Sequence, residues 1–259
     1  MNVHTTPTIL TDRQRQKMSR DATRKKAAII QYKSEFPLAV HERINAASNA
    51  ASNNDNNSIA AEEFLRRICI VVRNVLFLLG LDRNRNIYTG KEVETMIRFF
   101  PELLSEKDDL TGECLIQHQR FVFLNGNGNG NLDFDFENAY SFVPLFAKLG
   151  IELGQFEEAD RGGLFLKFPE CQQNVLQFIV CCFYICEEKK LDKAYSKHHQ
   201  SLDERILAVL NKLRELKLLK KEDILQHNLL GLLCTRNYEE FPDKRFNFFC
   251  DWNQGTQME

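Results

Sequence analysis

One group of residues follows part of a calcium-binding pattern. In the loop from Asn125 to Phe136, asparagines at 125, 127 and 129 take alternate ligand positions, and Gly130 takes the place of the sharp turn. The twelfth position is Phe136, where such a loop needs a glutamate that binds the ion through both oxygens. Neutral amides alone bind calcium poorly, so we expect an Asn-Gly surface loop and no metal.

A second group combines thiols with imidazoles. Cys182 and Cys186 lie one helical turn apart, Cys181 precedes them, and His198 and His199 follow at a short distance in the sequence. These are ligand types that zinc prefers. The thiols are embedded in an apolar run, however, and no Cys-x-x-Cys occurs among the eight cysteines. We therefore interpret them as small hydrophobic residues of a core helix and expect the two histidines to be solvated.

Nucleophilic catalysis needs a serine or cysteine placed beside a base, usually in a recognisable local setting. The chain has no nucleophile elbow, and its glycine-rich tract is not followed by Lys-Ser or Lys-Thr, as a phosphate-binding loop would be. We therefore predict that the protein is not an enzyme and needs no cofactor.

The fourth group is basic. Between residues 11 and 33 the chain carries eight lysines and arginines against Asp12 and Asp21. Clustered cations on a helix can bind phosphate backbones or act as a nuclear address, although Tyr32 is the only aromatic residue available for base stacking. We favour a solvated, partly disordered tail over this binding role. The candidates for phosphate or nucleic-acid contacts are Arg13, Arg15, Lys17, Arg20, Arg24, Lys25 and Lys26.

Composition and net charge limit the class of protein to which these groups can belong. The chain has 259 residues, 43% of them hydrophobic and 27% charged, and a net charge of -2, so the whole molecule has no field that would recruit polyanions. The two most apolar stretches, 68–81 and 175–186, are shorter than the ~20 residues of a membrane span. Without a signal peptide, the cysteines are expected to be reduced, which favours a cytoplasmic or nuclear location.

Apolar residues at spacings of three and four predict a series of helices. The longer ones cover 58–79, 91–100, 174–190, 202–216 and 222–236, and shorter ones cover 139–149 and the residues after Pro242. Ser201 and Glu204 fit a capping box at the start of one helix. A helix over 110–124 is weakened by Gly112. Since no stretch alternates apolar and polar residues, we predict an all-α fold.

Three segments repeat a loose pattern of an apolar pair, a polar turn and a new apolar helix. They begin at Leu103, Leu164 and Leu218, so that roughly 55 to 60 residues separate them. The pattern indicates helix pairs that stack on one another in an α-solenoid, and an irregular helical bundle is the alternative. We divide the chain into a flexible basic segment and Asn-rich linker (1–57), a helical repeat domain (58–252) and a disordered tail (253–259).

A family resemblance supports stacking. Four segments resemble ankyrin-like helical-repeat proteins from microalgae: Phe142-Val-Pro-Leu-Phe-Ala-Lys-Leu-Gly-Ile-Glu-Leu153, Arg161-Gly-Gly-Leu164, Asn174-Val-Leu-Gln177, and Phe241-Pro-Asp-Lys-Arg-Phe246 with Asp251-Trp252. The resemblance spans residues 58 to 252 and implies stacked helix pairs with no catalytic residue to transfer. The chain lacks the Thr-Pro-Leu-His tetrapeptide of ankyrin repeats. The sequence thus favours a non-catalytic scaffold that binds another protein, with a nuclear or nucleic-acid-associated regulator as the alternative.

Overall fold

The computed structural model describes residues 12–51, 57–79, 88–118, 141–169, 171–181, 194–235 and 242–254. These residues are mostly helical, and no β-strand occurs among them, which confirms the all-α prediction. They divide into two compact units, which we describe separately. The first unit comprises residues 1–75 and 91–100, and the second comprises residues 76–90 and 101–259. The division at residues 57 and 252 stays a prediction.

The first unit contains α1 (Asp12–Gln31), a 3-10 turn (Lys33–Glu35), α2 (Leu38–Ala51), all but the end of α3 (Asn57–Phe77), and most of α4 (Gly90–Phe99). Each helix buries residues spaced three or four apart, because that spacing returns a side chain to the same face. The rings of Phe36 and Phe99 lie 5.4 Å apart, between the 3-10 turn and the end of α4. Completely buried side chains of this unit include Ile29, Val40, Ile44, Val72, Val93, Met96 and Ile97.

The N-terminal segment differs from the expected tail. Residues 12–31 and 38–51 form two helices, and Ile29, Val40 and Ile44 are 0% exposed. A narrow apolar stripe is sufficient for each of these helices, because a neighbour covers it. Part of the Asn-rich tract belongs to α2 and α3, while residues 52–56 lie outside the described part.

The second unit contains α5 (Val143–Glu152), α6 (Val175–Val180), α7 (Ala194–Glu215), α8 (Lys221–Gln226), α9 (Leu229–Thr235) and α10 (Asp243–Gln254). Two 3-10 segments, Pro101–Leu104 and Glu158–Gly163, precede loops that lead into new helical turns. Its core includes fully buried Leu103, Phe146, Leu164, Leu176, Leu210, Leu229 and Phe249.

Glycines set the close approach between α5 and the 3-10 segment after it. Gly162 has a φ of 66°, in the left-handed region. A Cβ atom added at Gly162 would lie 1.9 Å from the carbonyl oxygen of Ala147. Only glycine therefore fits this position, and the segment Arg161-Gly-Gly-Leu164 packs directly on the backbone of α5.

Two predicted helix boundaries are wrong. Helix α7 begins at Ala194 and continues through Ser201, so no capping box starts a helix there. A capping box is a weak local preference, and it does not prevent the helix from continuing through it. The single helix expected over 222–236 is instead α8 and α9, because the chain breaks at Asn228, whose φ is 50°.

Candidate functional site

Two loops of the second unit, residues 107–114 (loop 1) and 167–174 (loop 2), are closed by the same two backbone contacts. Each is closed by an isolated antiparallel bridge between its first and last residues. A second backbone hydrogen bond inside each loop, 2.9 Å long in loop 1 and 3.0 Å in loop 2, joins the next pair of residues. Corresponding residues are sixty positions apart in the sequence, so the same closing contacts occur twice.

A glutamine follows loop 1 at the third position of the next helical turn. The Oε1 atom of Gln117 accepts a 3.1 Å hydrogen bond from the backbone N–H of Cys114, which would otherwise be unsatisfied at the helix start. Its Nε2 atom donates to the carbonyl oxygen of Lys167, at 2.8 Å and across 50 residues. Gln117 therefore caps its own helical turn and holds the start of loop 2.

Gln177 repeats both bonds after loop 2. Its Oε1 atom accepts from the backbone N–H of Asn174 at 3.0 Å, and its own N–H donates to the side chain of Asn174 at 2.8 Å, which completes a capping box. Its Nε2 atom donates to the carbonyl oxygen of His227 at 3.0 Å, again across 50 residues. The same residue type thus forms the same connection to the segment that follows.

A buried ion pair forms a further connection. Arg161 donates two hydrogen bonds to the carboxylate of Asp223, at 3.1 and 3.2 Å, and a third to the carbonyl oxygen of Leu218 at 3.2 Å. The side chain of Asp223 is 1% exposed, and its carboxylate also accepts the backbone N–H of Lys220 at 2.7 Å, at the start of α8. Because these oxygens are engaged, the pair positions segments and is not arranged as an acid or base.

His227 lies at the junction of these connections. Its Nδ1 atom is 3.3 Å from Nδ2 of Asn174, whose oxygen already accepts the N–H of Gln177. The amide nitrogen must therefore donate and Nδ1 must accept, which places the proton of a neutral imidazole on Nε2. Burial is the main cause that lowers the pKa of His227 below 6.5, and Arg161 lowers it further against the opposing effect of Asp223.

A second arginine connects helices in the same way. Arg245 of α10 is 2% exposed, and its Nη1 atom donates to the carbonyl oxygen of Val180 at 2.7 Å. That carbonyl lies at the end of α6, where helical partners run out. Its Nε atom is 2.8 Å from Oδ1 of Asp203 in α7. The polar side chains inside the second unit thus mainly join one helical segment to another.

Loop 1 presents an exposed leucine on a fixed backbone. Leu110 is 95% exposed, the highest value among the exposed large hydrophobic residues of the described chain. The side chain of Asp108 accepts the backbone N–H groups of Leu110 at 3.0 Å and of Thr111 at 3.1 Å. Gly112 then donates to the carbonyl of Asp108 at 2.8 Å. These bonds fix the backbone that carries the exposed Leu110 side chain.

The predicted basic residues all lie in α1, but the structure separates them. Lys17, Arg20 and Arg24 are exposed. Lys25 and Lys26 are half-buried, with Nζ atoms 4.5 Å from the ring centroid of Phe100 and 5.4 Å from that of Phe64, so these two mainly pack against the first unit. The side chains of Arg13 and Arg15 lie outside the described part.

The other candidates are only partly described. The Asn-Gly loop, Cys182 and Cys186 fall outside the described residues, as do the side chains of His198 and His199. Cys181 is buried, as expected for a core thiol. Among the described residues no group of three potential ligands could hold a metal ion, and no described helix has the length and apolar character to cross a membrane.

The three segments with similar apolar patterns include these loops, but their sequences did not predict the polar connections. The three segments identified from their apolar pairs contain loop 1, loop 2 and the junction at His227. A local signal existed for Gln177, since Asn followed three residues later by Gln fits a capping box. No local signal existed for Arg161 and Asp223, which are 62 residues apart.

Comparison with family models, curated proteins and solved structures finds no match to this chain. The resemblance to ankyrin-like helical-repeat proteins therefore stays a prediction.

Proposed function

We propose that this protein is a non-catalytic scaffold that binds another protein through a surface of stacked helical segments. The repeated connection from Gln117 to loop 2 and from Gln177 to the α8–α9 junction supports this proposal most directly. A chain whose successive segments are joined by the same side chain in the same way is typical of repeat architectures, which bind partners on extended surfaces. The buried polar groups serve these joints, and the exposed loop 1 serves recognition.

The rigid loop 1 is the part of this surface with the clearest binding character. The backbone that carries Leu110 is already fixed by hydrogen bonds, so it loses little conformational freedom when a partner covers the side chain. Acidic residues surround it in the sequence, from Glu102 to Glu113, with Lys107 as the only cation among them. A protein partner with an apolar pocket and a basic rim would match both properties.

Affinity purification from the native cell tests the proposal with one variant and one matched control. Leu110→Asp places a charge where an apolar pocket must close, whereas Leu225→Asp changes a leucine of α8 that is also exposed, at 76%. We expect the unmodified chain and Leu225→Asp to recover the same protein partner in comparable amounts. Leu110→Asp should reduce its recovery at least tenfold.

Two results would overturn the proposal. One is recovery of a metabolite or a nucleic acid without any stoichiometric protein. The other is a set of partners that both variants retain equally, because loop 1 would then have no part in recognition. Circular dichroism of each variant checks that the helical content is unchanged.

A further inference from the structure

The exposed cations of α1 form a single row. Lys17, Arg20 and Arg24 are spaced by three and four residues, so at about 100° per residue they fall within an arc of roughly 60° and extend for about 10 Å along the helix. The buried Ile29 lies roughly opposite this row, about 150° around the helix. Arg13 takes the same register one turn earlier in α1. Positive charge is therefore concentrated on the side that faces away from the first unit.

The opposite side of α1 is anchored. Ile29 is completely buried, and the ammonium groups of Lys25 and Lys26 lie over the rings of Phe100 and Phe64 in the same unit. The row is thus presented by a helix that already has its bound shape, unlike a basic tail that must become ordered on binding. The exposed side chain of Gln16 lies beside the row.

We propose that the row Lys17, Arg20 and Arg24 binds the phosphodiester backbone of nucleic acid. Regularly spaced cations on a straight helix match the regular negative charges of a duplex and recognise phosphate without reading base sequence. Stacking on unpaired bases has little support here, because Tyr32 is the only aromatic residue between residues 11 and 33. A membrane surface matches less well, since a helix lying in a bilayer inserts its apolar side, and α1 buries that side in the first unit.

Fluorescence anisotropy of the full chain with a labelled 20-base-pair DNA of mixed sequence measures this binding. Three phosphate contacts predict a slope of about -2.7 for log affinity against log salt, which is an affinity loss of about 40-fold between 50 and 200 mM salt. The double variant Arg20→Gln and Arg24→Gln keeps good helix formers. Its affinity at 50 mM salt should fall at least tenfold, and its slope should fall to about -0.9.

A control variant of equal net charge separates the row from the charge of the whole chain. Lys212→Gln with Lys244→Gln removes two exposed cations from α7 and α10 of the second unit. We expect this control to bind the duplex as the unmodified chain does. Equal losses in the two double variants would overturn the proposal. So would tighter binding to vesicles containing phosphatidylserine, or to poly-glutamate, than to the duplex at equal charge concentration.

Discussion

Replacing Arg161 by methionine removes the guanidinium from the buried pair with Asp223 while keeping a side chain of similar length. Methionine also keeps the left-handed backbone at this position, where φ is 48°, so the strain of that conformation is the same in both proteins. The substitution leaves a carboxylate that is 1% exposed with the backbone N–H of Lys220 as its remaining hydrogen bond.

The burial of this ion pair determines how far the free energy of unfolding should fall. Removing one partner of a buried ion pair costs about 3–5 kcal/mol, mostly because the other charge is stranded. Arg161 is 16% exposed, so water can reach part of the space that it leaves. We therefore expect the lower end, a decrease of about 3 kcal/mol in the free energy of unfolding. Changing Asp223 to asparagine in the methionine variant removes the stranded charge and should restore about 1–2 kcal/mol.

Urea unfolding followed by tryptophan fluorescence measures these values in the relevant unit. Trp252 is the only tryptophan, and it lies in α10. Both members of the ion pair belong to the same unit as this helix. With a denaturant slope of about 2–3 kcal/mol per M, the Arg161→Met midpoint should fall by about 1–1.5 M. A decrease below about 1 kcal/mol would refute the reasoning. Strict additivity of Arg161→Met and Asp223→Asn would refute it too.

Two further predictions concern the same unit. Gly162→Ala should lower the free energy of unfolding by more than about 3 kcal/mol, because the added Cβ would collide with the Ala147 carbonyl. Gly154 has a similar φ of 65° but nothing within 4 Å of the added Cβ, so Gly154→Ala should lower it by only about 1 kcal/mol. Similar urea midpoints for the two variants would contradict this prediction. The pKa of His227 is lowered, so the folded environment favours the neutral ring. The stability that this preference contributes is present above the unfolded pKa of about 6.5, and it is lost as the pH falls from there through the lower pKa of the folded state. The stability difference between the unmodified chain and His227→Gln should therefore narrow from pH 7.5 to 5.5, and a constant difference would disprove the role given to the ring.

The sequence by itself determined the fold class and most of the helices. Residues such as Phe64, Ile68 and Val72 recur at helical spacing, and the structure buries them on one face of α3. The helix expected over 91–100 is α4, and the short one after Pro242 is α10. These features depend on residues within one or two turns of each other, so the local sequence carries the information.

Only the tertiary structure decided which side chains join the segments and which cations are exposed. Gln117, Gln177 and Arg161 reach partners 50 to 62 residues away, and no local pattern specifies such a partner. The sequence treated all seven basic residues of α1 alike, whereas packing places Lys25 and Lys26 over aromatic rings and leaves Lys17, Arg20 and Arg24 exposed. The side of a helix that is buried depends on which segment packs against it, and the tertiary structure determines that segment.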